Sequence, residues 1–186
     1  MEVALGLIQT GVEAAYNGVS CSTAGDYPSM GVSQWEGPRG DDLLSRIQGA
    51  EGFIGMTYSG ICDSGNLEML ENLLGSEAGQ EAQKNKLAED CIDYIGTLQS
   101  IQTLDDSRCM IYAGMWCPTS LSVVHLFLQH REDRGYDLRS LEVMRDLFRD
   151  QYATAAGCED YAEGYSNRAE ATFNYVSELD LSAYGI

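Results

Sequence analysis

Apolar residues recur at helical spacing along most of the chain, and this period limits the fold more than any other feature. Val3, Leu7, Val12 and Ala15, with Ile8 beside them, share roughly one face of a segment over 2–16. Leu67, Leu70, Leu73 and Leu74 mark a second helix over 66–75. Ser76 and Glu77 supply a start signal for a longer one, 77–98, with Leu87, Cys91, Ile92 and Ile95 at its apolar positions. Further helices are predicted from Asp41 or Asp42 to Ile47 and from Leu104 to Met115. Three more follow: Pro118-Thr119-Ser120 through Leu128, then 138–152 and 162–178. Residues 17–37 form a polar, small-residue loop, within which Ser29 to Trp35 reads as extended. That segment is too short for a large sheet. Gly37-Pro38-Arg39-Gly40 reads as a turn, 51–65 as a Gly-rich loop, and Arg131 to Gly135 as a charged turn. No repeat, linker or low-complexity stretch divides the 186 residues. The expectation is one mainly α domain, 1–186, with seven or eight helices and a small β-hairpin region.

Charge narrows the choice of partner. Eleven Lys and Arg stand against 29 Asp and Glu, a formal net charge of −18. A duplex nucleic-acid binder needs a basic face to neutralise phosphates, so nucleic acid is excluded as a partner. An anionic membrane surface is disfavoured for the same reason. No run approaches the ~18 apolar residues of a membrane span. Lys84 and Lys86 are the only lysines, which leaves almost no candidate for a phosphate-loop or Schiff-base Lys. The N-terminal Met1-Glu2-Val3-Ala4-Leu5-Gly6-Leu7-Ile8 lacks the positive region of a signal peptide. A chain made in the cytoplasm is expected, as a monomer.

The six cysteines, at 21, 62, 91, 109, 117 and 158, show no CxxC spacing. They read as mostly reduced, buried thiols rather than a disulfide frame or a zinc ribbon. His125 lies on an apolar helix and His130 in a charged turn, with no third ligand pattern, so no metal is expected. Nor does any motif call for a cofactor. A Cys117 or Cys21 nucleophile would need a His partner such as His125. Met115 and Trp116 read as core.

Residues 13–36 carry the chemistry. Glu13 sits among Val12, Ala14, Ala15 and Tyr16, a setting that keeps a carboxyl protonated, as a general acid requires. Asp26 and Glu36 lie beyond it, and either supplies the second carboxylate that glycoside hydrolysis needs.

The segment Ser29-Met30-Gly31-Val32-Ser33-Gln34-Trp35-Glu36-Gly37, with Arg39 after it, resembles the Ser-x-Gly-x-x-Gln-Trp-x-Gly-x-Arg signature of lysozyme-like domains in phages and Gram-positive bacteria. Glu13-Ala14-Ala15-Tyr16 stands upstream at nearly that family's spacing, where a Glu-x-x-Tyr ends the first helix. Leu73-Leu74-Gly75-Ser76-Glu77-Ala78, followed by Gln83, is similar to the family's Leu-Gly-Thr-Glu stretch and Ala-Gln helix. Tyr165-Ser166-Asn167-Arg168, then Tyr175, resembles its closing helix. Goose-type lysozymes share the looser plan, with an acid two positions beyond the Gln, where Glu36 stands. The phage-type Asp-Asn-Gly is displaced here to Ala24-Gly25-Asp26, and the usual His after the Trp is Glu36.

The resemblance implies a lysozyme-like fold and cleavage of peptidoglycan glycan strands. Glu13 would protonate the glycosidic oxygen. Asp26 or Glu36 would position water or stabilise the transition state, with Asp26 slightly favoured because phage-type members place their Asp in this loop. Ser29 would help hold the water. Gln34 and Trp35 would support the substrate cleft, Gly31 its turn, and Tyr16 and Tyr58 would stack on sugars. Arg168 would pair with Glu13 from the last helix. The setting implied is a phage lysin, or the wall-opening module of a tail or secretion apparatus. A chitosanase, suited to a cationic polymer, and an inactive glycan-binding scaffold are the alternatives.

Overall fold

Short polar side chains cap the first turns of five helices, at positions the sequence offers. The Thr57 side chain accepts the Gly60 N–H at the start of α3 (Tyr58–Asp63). Ser76 Oγ accepts the Gly79 N–H (3.0 Å) at the head of α5 (Glu77–Leu98). Asp106 caps α6 (Ser107–Gly114), Ser120 caps α7 (Leu121–Asp133) and Ser140 caps α8 (Leu141–Ala155). The remaining helices are α1 (Glu2–Thr10), α2 (Gly37–Ser45), α4 (Leu67–Gly75) and α9 (Ala162–Ser177). This computed structural model describes residues 1–10 and 14–182, and among them it is mainly helical with one two-stranded sheet. None of the helices among the described residues is long and apolar enough to cross a membrane. The chain divides into two compact units, Glu13–Glu89 and the pair of segments Met1–Val12 and Asp90–Ile186.

In the 13–89 unit, β1 (Val19–Cys21) pairs antiparallel with β2 (Pro28–Met30), Ser20 opposite Ser29. Pro28 faces Cys21 at a position outside the hydrogen-bonded pairs, so its missing N–H costs the ladder nothing. A 3₁₀ turn, Gly31–Ser33, follows, and Trp35 returns to Met30 through two backbone hydrogen bonds (2.9 and 3.1 Å). Asp42 on α2 receives Lys86 Nζ of α5 (2.7 Å) and Arg46 (3.0 Å), while Arg46 also reaches Glu89 (2.9 Å). The hydrogen bond from Lys86 holds the Asp42 carboxyl below the usual range.

The other unit is built on aromatic packing. Trp116 lies 4.4 Å from Phe148 and 5.0 Å from Tyr152 between ring centroids, and Phe127 meets Phe148 at 5.1 Å. Val3 and Leu7 of α1 are buried. Gly6 lets α1 approach closely: a Cβ there would stand 2.6 Å from both Met115 Sδ and Tyr175 Cε1.

Several boundaries depart from the sequence expectations. Among the described residues α1 runs to Thr10, whose hydroxyl donates back to Gly6 O (2.7 Å), and Ala14 and Ala15 are not helical. Tyr16 instead lies in a turn closed by Gly18 N–H onto Ala15 O (2.9 Å). The predicted Gly37–Gly40 turn is the first turn of α2, because Pro38 near a helix start needs no N–H partner and has a helical φ already set. β1 forms inside the predicted loop, since pairing with β2 decides it rather than local propensity. α7 extends into the predicted charged turn: Arg131 folds its guanidinium over Phe127, 4.5 Å from the ring centroid, and is buried. The helices number nine among the described residues.

Candidate functional site

Alternation along the hairpin places Ser20, Ser22 and Ser29 on one face. Gln34 is drawn onto that face. Its backbone is left-handed (φ 48°, ψ 51°), uncommon for a residue with a side chain. Its amide is engaged at both ends: Oε1 accepts from Ser20 Oγ and Ser29 Oγ (3.1 Å each) and Nε2 donates to Gly31 O (3.0 Å). Those three bonds hold a strained backbone in one geometry. Ser29 is buried and spends its hydroxyl on Gln34.

Glu36 follows two residues on, half-buried, at the head of α2. Ser22 Oγ donates to its Oε2 (2.7 Å) and accepts the Ala24 N–H (3.0 Å). Ser22 is itself buried, so the carboxylate is oriented by a fixed hydroxyl.

Asp26 is placed differently. One oxygen accepts the Ser59 N–H (2.9 Å) and the other the Ser59 hydroxyl, while the Asp26 carbonyl accepts the Tyr58 N–H (3.2 Å). The Ser59 hydroxyl, then the Ser59 N–H, holds the carboxyl below its ordinary 3.8. Asp26 thus fastens the hairpin loop to the start of α3.

No family model, curated protein or solved structure matches the chain. The site stands on its own geometry. Gly31 has φ +65° and lies against Gln83, which is fully buried in α5. Gln83 Oε1 accepts the Val32 N–H (3.1 Å), and Nε2 donates to Tyr16 O and Leu74 O (3.0 Å each). One amide therefore staples the Tyr16 turn, the 3₁₀ turn and the end of α4. Trp35 is 1% exposed, so it lies under the site and offers no ring face to a ligand. Tyr16 is half-buried with Lys84 Nζ 6.0 Å from its ring centroid, and desolvation, then Glu81, raises its phenol pKa. Tyr58 is partly exposed at the start of α3, its phenol pushed up chiefly by the Cys62 thiol. Glu13 lies outside the described residues. Arg168 is buried in the other unit, where it donates to Met115 O (2.7 Å) and stacks on Trp116.

Among the described residues no group of three or more His, Cys, Asp or Glu side chains could hold a metal ion. His125 contacts Ser100 Oγ (2.8 Å). Cys91, Cys109 and Cys117 are buried, and desolvation pushes the Cys91 thiol up to about 12. Sequence reasoning missed Ser22 and Ser59 as organising residues, and met Gln83 only as part of the stretch that resembles the family's Ala-Gln helix. Ser20 and Ser22 at period two were the one available signal for the first. The partners of Gln83 carried none, because an amide on a helix shows its partners only after folding.

Proposed function

We propose that the chain is a lysozyme-like glycoside hydrolase that cleaves the glycan strands of bacterial peptidoglycan. The observation that carries this reading is Glu36, oriented by Ser22 beside the clamped Gln34 on the polar face of a short hairpin. Glu13 is the general acid and protonates the glycosidic oxygen as the bond to the leaving sugar breaks. Glu36 is the second carboxylate. With Oε2 held by Ser22, its other oxygen orients a water or faces the oxocarbenium-like transition state. Asp26 is assigned to structure instead, since Ser59 occupies both of its oxygens. Gln34 and Gly31 set the angle at which Glu36 leaves the strand, and Trp35 supports them from below.

The charge of −18 favours a second reading, a chitosanase acting on a cationic polymer. Turbidity of purified walls, run beside viscosity of soluble chitosan, separates the two. Wall clearing that is lost in Glu13→Gln supports the first. Chitosan scission without clearing supports the second. Binding to walls with neither activity would make the chain a glycan-binding scaffold.

A further inference from the structure

We propose that Tyr27 is a sugar-stacking residue of this site, setting the flat apolar face of one pyranose ring next to Glu36. The inference rests on the glycosidase reading above.

Strand register places the residue. Cys21 pairs with Pro28, and Ser22 N–H donates to Tyr27 O (2.9 Å), so residue 27 stands opposite residue 22. Side chains directly opposite share a face, their Cβ atoms about 4.5–5.5 Å apart. Tyr27 is therefore the cross-strand neighbour of the serine that holds Glu36. On the same face Ser20 and Ser29 hold Gln34.

The ring is exposed, and the backbone that carries it is held. Tyr27 is 51% exposed, although it sits in a loop tied down at several points. Its own N–H donates to Gly25 O (2.8 Å). The Cδ2–Cε2 side of the ring lies against Gly25, where a Cβ would stand 3.0 Å from Cε2. Asp26, between the two, is locked to Ser59. The backbone that carries the ring is ordered on folding, so less is left to lose on binding.

An aromatic half in solvent, across the strands from the serine that holds a carboxylate, suits one class of ligand. Its apolar body matches the C–H face of a sugar whose hydroxyls are equatorial, and its phenol stays in water. A β-linked N-acetylhexosamine presents such a face. A sugar with axial hydroxyls on that face does not.

The experiment measures binding of the N-acetylglucosamine tetramer by calorimetry, and lysis over a range of wall concentrations. Tyr27→Ala and Tyr27→Leu are expected to raise Kd and KM roughly ten-fold, with kcat within about two-fold. Leu keeps apolar bulk but not the planar ring. Tyr27→Phe keeps the ring and is expected to restore both constants. Tyr161→Ala, at a 60% exposed tyrosine of the other unit, controls for loss of any surface aromatic. Thermal melts of all four are expected to coincide with wild type. Unchanged Kd and KM in Tyr27→Ala and Tyr27→Leu, with an active wild type, would overturn the stacking role and leave the glycosidase reading standing. Loss of kcat alone would overturn it too. A wild type that neither binds the tetramer nor lyses walls would remove both.

Discussion

Gln83 fills the space that a side chain on Gly31 would need: a Cβ at residue 31 would stand 2.8 Å from Gln83 Cδ and closer still to Oε1. The helix amide and the bare backbone turn are thus fitted to each other. Every bond that Gln83 makes from this position holds a segment of the site or its flank.

Gln83→Ala is expected to cost about 3 kcal/mol, because it strands the buried Val32 N–H and Leu74 carbonyl and the half-buried Tyr16 carbonyl. Urea unfolding followed by circular dichroism reads this directly. A loss under 1 kcal/mol would mean that water replaces the amide.

Gly31→Ala is expected to cost about 2–4 kcal/mol, from a left-handed φ and the collision with Gln83 together. The double variant Gly31→Ala/Gln83→Ala is expected to lose less than the sum, since the second change removes what the first collides with. Strict additivity would show that backbone strain alone is at work.

Asp26 sets a dependence on pH. Its folded pKa lies below the ordinary 3.8, so the stability it contributes is complete above that value and lost as pH falls through the lower folded one. Wild type is expected to melt above Asp26→Asn at pH 6, and the gap to shrink as pH falls below 3.8 and through the lower folded value. No gap at pH 6 would remove ionised Asp26 from the α3 tether.

The carboxylates are expected to separate by activity. Glu13→Gln should lower wall lysis at least ~100-fold without lowering the melting temperature. Glu36→Gln should fall by a similar factor, while Asp26→Asn should keep most of its lysis at pH 6. A large loss in Asp26→Asn with an intact Glu36→Gln would exchange their roles.

Ionic strength is expected to raise lysis of walls that bear teichoic acids. At −18 the protein and such a wall repel, and salt shortens the Debye length to ~8 Å near physiological strength. On chitosan the sign reverses. Initial rates against NaCl on both substrates show it, and a steep fall on walls would point to a local basic patch.

Helical period made most of the architecture legible. The long helix 77–98 emerged with its predicted bounds, because Ser76 and Glu77 mark its start and its apolar positions are regular. The hairpin was harder. Val19–Cys21 carries no strand signal of its own beyond Val19, and Pro28 is a poor strand former; each becomes a strand only against the other. Candidate chemistry followed the same divide. The Gln34–Glu36 stretch was visible as a local word. The choice between Asp26 and Glu36 hung on Ser59 and Ser22, 33 and 14 residues away from their respective partners. Local sequence holds no record of such pairings.

The route of the chain through its two units orders its synthesis. Val3 and Leu7 are buried in a unit whose other residues begin at Asp90. Gly6 meets Met115 and Tyr175, more than 100 and more than 160 residues later. On the ribosome α1 must therefore wait, apolar face uncovered, until the last long helix has emerged. The 13–89 unit draws on one contiguous stretch and matures first. Closure of so long a loop is slow relative to local helix formation. Residues 2–10 are thus made well before the elements that cover them, and while they wait their apolar face is open to chaperones and proteases.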